Sequence, residues 1–188
     1  ETGAVLPVVN PFTGAEIARV ALGDSRTLEA AISAAHAVFA RTRTIPAHER
    51  AELLARVAQG IAGRRAEFAA VIVAESGKPV TLAEAEVARA VSTFTVAADE
   101  ARRWQGDGGE VLALDATPAG AGHTGIARRF PIGVISAITP FNFPLNLVAH
   151  KVAPCIASGN TMGVKSAPKT PLTALMLAEV LEAARSEE

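Results

Sequence analysis

Residues 130–171 read FPIGVISAITPFNFPLNLVAHKVAPCIASGNTMGVKSAPKTP, and this stretch decides the fold. Ile132–Thr139 is mostly apolar and lies between two prolines, which predicts a strand buried on both faces of a sheet. Thr161–Val164 follows Gly159-Asn160, a pair typical of a helix end, and predicts the next strand. Two strands about twenty residues apart, as a crossover requires, favour a parallel pair.

The segment between these strands predicts a helix. Pro144 suits its first position, because the missing N–H of proline would have no partner inside the helix. Apolar residues recur at helical spacing, and we expect this face to pack on the sheet: Leu145, Val148, Val152 and Ile156. Ligands of such βαβ units bind beyond the carboxyl ends of the strands. Asn142 and Lys165 each follow a predicted strand, so both are expected at that edge.

Short motifs accompany this unit along the chain. Within residues 130–171 and just after them stand Phe130-Pro131-Ile132-Gly133-Val134, Pro140-Phe141-Asn142-Phe143-Pro144, Gly159-Asn160, Lys165 and Thr170-Pro171-Leu172. Earlier in the chain stand Asn10-Pro11-Phe12-Thr13-Gly14 and Glu75-Ser76-Gly77-Lys78-Pro79. In this order the motifs resemble the N-terminal portion of the NAD(P)-dependent aldehyde dehydrogenase superfamily. The resemblance implies an α/β fold: a Rossmann-like parallel sheet with flanking helices, plus an antiparallel oligomerisation arm.

The resemblance also implies an organisation and an activity. Residues 1–188 would form the N-terminal portion of the coenzyme-binding domain, with the catalytic domain absent. The family's nucleophilic cysteine and activating glutamate are expected in sequence beyond Glu188, so this chain alone is expected to be inactive. The parent enzyme would oxidise an aldehyde to a carboxylate with NAD or NADP. The alternative is a non-catalytic assembly or binding module derived from the same fold.

Asn142 is the candidate catalytic residue. The resemblance implies that its side-chain amide donates a hydrogen bond to the oxyanion that develops on the substrate. From the residues alone, the favoured interpretation of Asn142 is a cap for the helix predicted to begin at Pro144. Both interpretations stay open at the level of sequence.

Cofactor contacts are implied on both sides of the predicted crossover. Lys165 would bind the adenosine ribose or its phosphate, and the remaining contacts are Ile138, Thr139, Pro140, Phe141, Asn142, Ala167 and Pro168. Pro168 stands where NAD-preferring relatives commonly carry a glutamate that repels a 2′-phosphate. Because Lys169 supplies another cation, we expect NADP to be accepted, unless Lys169 points into solvent.

A glycine-rich segment, 106–129, contains two short extended runs, Glu110–Leu114 and Gly125–Phe130. By itself this pattern predicts a surface hairpin. The resemblance implies an arm that pairs with another subunit and so makes the protein a homo-oligomer.

The remaining elements are a hairpin and five helices. Ala4–Val9 and Glu16–Leu22 predict an edge hairpin. Helices are predicted after Asp24 or Ser25, after Pro46, over Arg64–Glu75 and Thr81–Trp104, and from Leu172 towards Arg185. Their charged residues are expected to form solvated faces.

Composition limits the classes of partner. The chain has 188 residues, 49% of them hydrophobic, and a formal net charge of −1, which predicts one substantial core and no nucleic-acid partner. No apolar run approaches the ~20 residues of a membrane span, and no secretory signal is evident, so a cytoplasmic location is expected. Cys155, the single cysteine, lies on the predicted crossover helix and is interpreted as structural. The four histidines lack metal-ligand spacing, so no metal site is predicted.

Overall fold

A computed structural model describes residues 3–103 and 110–185. In chain order the elements are β1 (Val5–Val9), β2 (Glu16–Ala21), α1 (Ser25–Thr42), α2 (Ala47–Gly63), α3 (Arg65–Ser76), α4 (Val80–Arg103), β3 (Glu110–Ala113), a 3₁₀ turn (Pro118–Gly120), β4 (Thr124–Ala127), β5 (Val134–Ile138), α5 (Asn146–Ala157), β6 (Thr161–Lys165) and α6 (Leu172–Arg185). Trp104, the predicted last residue of the fourth helix, lies outside the described residues, as do residues 106–109 of the predicted arm.

The predicted βαβ unit is present. β5 and β6 pair in parallel, from Val134 beside Thr161 to Ile138 beside Lys165, and α5 connects them. Buried Asn160 ties the two strand starts together, because its Oδ1 accepts a hydrogen bond from the Gly133 N–H at 3.0 Å. Gly159 ends the turn after α5 with φ +72°, a conformation that favours glycine.

The prediction that β5 is buried on both faces is wrong. The strand covers Val134–Ile138, so Ile132 precedes it and is 86% exposed. Ser136 and Ile138 share one face and are both exposed. β6 is the strand's one sheet neighbour among the described residues, and α1 packs more against β6 than against β5, so part of β5 stays uncovered.

The crossover helix differs from its prediction at its start and in its packing. α5 begins at Asn146, and Pro144 lies in the turn before it. Leu145, Val148 and Val152 are buried in a core shared with α2 and α4, and α5 packs more extensively against α4 than against β5 or β6. These helices offer larger apolar side chains, such as Phe94, than the short strands do.

Both hairpins form separate two-stranded sheets. β1 and β2 pair antiparallel but do not join the parallel sheet, so the prediction of an edge hairpin is wrong in that respect. β3 and β4 also pair antiparallel, with Glu110 beside Ala127, and the second extended run ends three residues before the predicted Phe130. Among the described residues, neither hairpin pairs with a third strand.

The main core lies between helices. α4 contributes a buried row at helical spacing: Ala83, Glu86, Val87, Ala90, Phe94, Ala98 and Ala101. Glu75 on α3 and Glu86 on α4 are 3% and 1% exposed, so the prediction that helix charges face solvent is wrong for these two residues. Each of them binds the start of another helix, which is the physical reason for their burial. No helix within residues 3–103 and 110–185 is both long and apolar enough to cross a membrane.

Candidate active site

Two loops lie at the carboxyl edge of the parallel sheet. The Asn142 loop, residues 139–145, follows β5, and the Pro168 loop, residues 166–171, follows β6. The Thr139 N–H donates to the Lys165 carbonyl oxygen at 3.2 Å, which continues the strand pairing into the loops. The structure therefore brings the two groups of predicted site residues to one edge.

A cleft of about 720 Å³ opens beside this edge, between the β1 hairpin, the end of α3 and both loops. Its lining residues are Leu6, Pro7, Val8, Val9, Pro11, Glu75, Ser76, Lys78, Phe141, Asn142, Pro168, Lys169 and Thr170. Of the predicted site residues, Phe141, Asn142 and Pro168 line the cleft. The others lie at the same edge outside it, and among them Thr139 and Ala167 are buried.

Asn142 is exposed, and its side-chain amide makes no hydrogen bond within the part of the chain that the structure describes. Its carbonyl oxygen accepts a hydrogen bond from Lys78 Nζ at 3.0 Å. The alternative that Asn142 caps the crossover helix is wrong, because the first N–H groups of that helix bind Glu86. The main chain of Asn142 is held while its amide faces outward.

Sequence reasoning missed Glu86 and Lys78. Glu86 Oε1 accepts hydrogen bonds from the N–H groups of Leu145 and Asn146 at 2.9 and 3.2 Å, while its other oxygen pairs with Lys78. A signal was present, because Glu86 falls at i+3 from Ala83 and so on the apolar face of α4. A carboxylate at that position must find hydrogen-bond donors inside the protein.

Glu75 binds the first N–H groups of α6, the helix that follows the Pro168 loop. Its Oε2 accepts from the Leu172 N–H at 2.8 Å, and its Oε1 accepts from the Thr173 N–H at 3.1 Å and from the Thr173 hydroxyl. Burial raises the pKa of Glu75, although these hydrogen bonds oppose the rise. Glu75 belongs to the Glu75-Ser76-Gly77-Lys78-Pro79 motif. Nothing in that motif indicates that Glu75 binds the start of α6, which is distant in sequence.

Two lysines stand at the β6 side of the edge. Lys165 ends the strand and is exposed. Lys169 packs over the Phe141 ring, with its Nζ 4.9 Å from the ring centroid, so the side chain spans from one loop to the other. The Ala167 carbonyl oxygen accepts from the Thr170 N–H at 3.1 Å, which closes the turn that presents Pro168 and Lys169.

Cys155 is buried, and burial raises the pKa of its thiol to about 11. A thiol with a raised pKa is protonated at neutral pH and is a poor nucleophile. The predicted burial of Cys155 is confirmed, and its structural role stays a prediction. Among the described residues, no group of three or more histidine, cysteine, aspartate or glutamate side chains is arranged to hold a metal ion.

Gly120, Gly122 and Gly125 have the spacing of a dinucleotide-binding glycine loop. The structure places Gly120 in the 3₁₀ turn and Gly125 in β4, both within the arm. A dinucleotide loop connects a strand to a helix, so these glycines do not form one.

The chain is similar to known proteins in both sequence and structure. The model of the aldehyde dehydrogenase family matches residues 1–188. The chain is similar to aldehyde dehydrogenase 21 of Physcomitrella patens, solved in complex with the reaction product succinate, with 42% identity, a TM-score of 0.90 and coverage of 95% of this chain and 36% of that chain. It is also similar to aspartate-semialdehyde dehydrogenase 1 of Pseudomonas canavaninivorans, 40% identical over 95% of this chain and 37% of that protein.

A third similar protein is the glyceraldehyde-3-phosphate dehydrogenase GapN of Methanocaldococcus jannaschii, solved in complex with NADP. Identity is 32%, the TM-score is 0.88, and 97% of this chain and 38% of that chain are covered. The chain thus spans little more than a third of the length of these proteins. These neighbours confirm the predicted α/β, Rossmann-like fold. From its fold, its motifs and this match along its full length, the chain belongs to the aldehyde dehydrogenase family.

Proposed function

We propose that residues 1–188 form the N-terminal portion of the coenzyme-binding domain of an enzyme that oxidises an aldehyde to a carboxylate with NAD or NADP. Family membership supports the reaction class. The single observation that carries the proposal is the state of Asn142: its main chain is fixed by Lys78, and its amide is left without a partner among the described residues at the lip of the cleft. An amide held in this way is ready to donate to an oxygen that gains negative charge.

The cofactor contacts follow from the composition of the edge. NAD or NADP, when bound, supplies the acceptor for the hydride that leaves the aldehyde carbon. Ile138 and Phe141 offer exposed apolar surface, and the ammonium groups of Lys165 and Lys169 offer donors for ribose hydroxyls or a phosphate. The site therefore fits a dinucleotide with respect to its donors and its apolar surface. Pro168 brings no negative charge to this edge, which supports acceptance of NADP.

The arm supports a proposal about assembly. Val111 and Ile126 are paired across β3 and β4, and they are 68% and 65% exposed. A two-stranded ribbon with exposed apolar residues is only marginally stable alone. We therefore assign it to contact with a second copy of the same protein, as the sequence predicted. A cytoplasmic location stays a prediction.

Substitution of Asn142 tests the catalytic proposal in a polypeptide that joins this chain to a catalytic portion. Asn142→Ala should slow the chemical step in single-turnover kinetics by roughly 10²–10³-fold, because one oxyanion donor is lost. The Kd for the cofactor should change little. Asn142→Asp has the same shape but, when ionised, accepts and does not donate, so it should be at least as slow.

Asn142→Asp also separates the proposal from a structural role. The structural contact of Asn142 is made by its main-chain carbonyl oxygen, which Asp keeps, so a purely structural Asn142 would be replaced by Asp with little loss. Retention of the chemical step in Asn142→Asp would therefore refute the oxyanion role. Cys155→Ala serves as the control variant, since its buried, protonated thiol should not contribute to turnover. A protein that binds neither NAD nor NADP, yet assembles normally, would favour the alternative of a non-catalytic module.

A further inference from the structure

Lys78 and Glu86 form a buried ion pair directly behind the Asn142 loop. The Lys78 side chain is 13% exposed and that of Glu86 is fully buried. Buried charges are costly unless every polar atom has a partner, and breaking such a pair by removing one member is more costly still. A buried pair next to a reaction centre therefore needs a reason for its presence.

Glu86 connects three parts of the fold. Glu86 lies in the N-terminal half of α4. Its Oε1 accepts hydrogen bonds from the N–H groups at the start of α5, and its Oε2 pairs with Lys78. The N-terminal end of a helix carries partial positive charge, so a carboxylate is stable there. The start of α5, where the Asn142 loop ends, is thereby fixed to α4.

Lys78 holds the other part of the loop. It donates to the Asn142 carbonyl oxygen at 3.0 Å, and its Nζ lies 4.2 Å from the centroid of the Phe143 ring. Arg89 approaches the same ring, with its Cζ 5.4 Å from the centroid. The peptide between Asn142 and Phe143 is therefore held from its carbonyl side and through the neighbouring ring.

We infer that Lys78 is a positioning residue for Asn142, and that Glu86 holds Lys78 in place for this purpose. The inference rests on the proposed function, because it gives Lys78 a role only through the amide of Asn142. Lys78 touches the main chain of that residue and so sets where its amide points. In enzymes, a displacement of about 1 Å in a reacting group costs roughly 10²-fold in rate.

The test uses the complete enzyme that contains this chain and compares kcat with KM. Lys78→Met keeps the length of the side chain and removes its donors, so it should lower the rate of the chemical step by roughly 10- to 100-fold. The KM for the cofactor should change far less, because the proposed ammonium donors to its ribose or phosphate, Lys165 and Lys169, lie on the β6 side. Lys78→Arg keeps the charge and the donors and should restore much of the rate.

A double-mutant cycle with Asn142→Ala separates positioning from general stability. If Lys78 acts through Asn142, Lys78→Met should cost little rate once Asn142 is already alanine, so the two effects should be non-additive. Arg64→Met is the control, because Arg64 also bridges two helices, α3 and α6, through Glu179 at 2.9 Å but lies outside the site. It should leave the chemical step unchanged.

Additive effects in the cycle, or a Lys78→Met enzyme with a normal chemical step, would overturn the inference while Asn142→Ala still supports the proposed function. Loss of the proposed function is recognised separately, by an unmodified enzyme with no aldehyde oxidation. If Lys78→Met does not fold, the cycle is run with Glu86→Gln, which keeps an acceptor oxygen and weakens the hold on Lys78. The same non-additivity is expected, and its absence is again contrary to the inference.

Discussion

Glu75 makes the stability of this fold depend on pH, and the sign of the dependence follows from its burial. Burial raises the pKa of Glu75 above its ordinary value of 4.5. The folded protein then holds this proton more tightly than the unfolded chain does. Stability contributed by the protonated carboxyl is present below pH 4.5 and is lost as the pH rises through the raised folded value. Because one proton is involved, the slope is at most about 1.4 kcal/mol per pH unit.

Glu75→Gln removes the titration and changes one hydrogen bond. The carboxylate uses separate oxygens for the N–H groups of Leu172 and Thr173, whereas a glutamine has one acceptor oxygen. An unpaired buried N–H costs about 1–3 kcal/mol, so the variant should be less stable by that order. The free energy of unfolding, measured by urea denaturation from about pH 4 to 8, should show the advantage of the unmodified chain shrinking as the pH rises.

Glu67→Gln supplies a control of opposite sign. A hydrogen bond from Arg64 lowers the pKa of the exposed Glu67, so any stability it adds is present above pH 4.5 and lost as the pH falls through the lowered value. The difference between the unmodified chain and Glu67→Gln should therefore grow, if it changes at all, as the pH rises. A difference for Glu75→Gln that is constant or grows with pH would refute the argument from burial.

Two further predictions concern assembly and cofactor choice. Lysine substitution at both Val111 and Ile126 should lower the oligomeric state measured by light scattering, because it adds charge to the exposed face of the arm. An unchanged oligomeric state would exclude that face from the interface. Pro168→Glu should shift the ratio of the kcat/KM values for NAD and NADP towards NAD, because a carboxylate near Lys165 and Lys169 repels a 2′-phosphate. The control variant Pro168→Ala should leave this ratio unchanged. Strong NAD preference in the unmodified enzyme, unaltered by Pro168→Glu, would contradict this reasoning.

The β5–α5–β6 unit could be predicted because its signals are local. Prolines, a glycine turn and helical spacing act within a few residues of one another, and they located β6 to within one residue of its observed end at Lys165. The exposure of Ile138 could not be predicted in the same way. It depends on which elements cover the sheet, and that information lies in tertiary packing rather than in the alternation of residues along the strand.

The site was predicted in part for a similar reason. Asn142 and Lys165 were placed correctly because the carboxyl ends of parallel strands share one edge. Glu86 and Lys78 were missed, since they are distant in sequence from the loop that they hold: 59 positions separate Glu86 from Leu145, and 64 separate Lys78 from Asn142. Helical periodicity assigns a charged residue to a face, but it does not name its partner.

Glu86 and Glu75 each bind the start of a helix, and in this respect the Rossmann-like unit differs from the usual site for a dinucleotide phosphate. In such folds the phosphate commonly binds at the N-terminus of the helix that follows a strand, where free N–H groups and the helix dipole favour an anion. Here the two helices that follow β5 and β6 have those N–H groups bound by Glu86 and Glu75. A phosphate placed there would meet a carboxylate instead of free donors. We therefore expect the binding of an anionic cofactor at this edge to depend on side-chain cations, such as Lys165 at the end of β6 and Lys169 in the Pro168 loop.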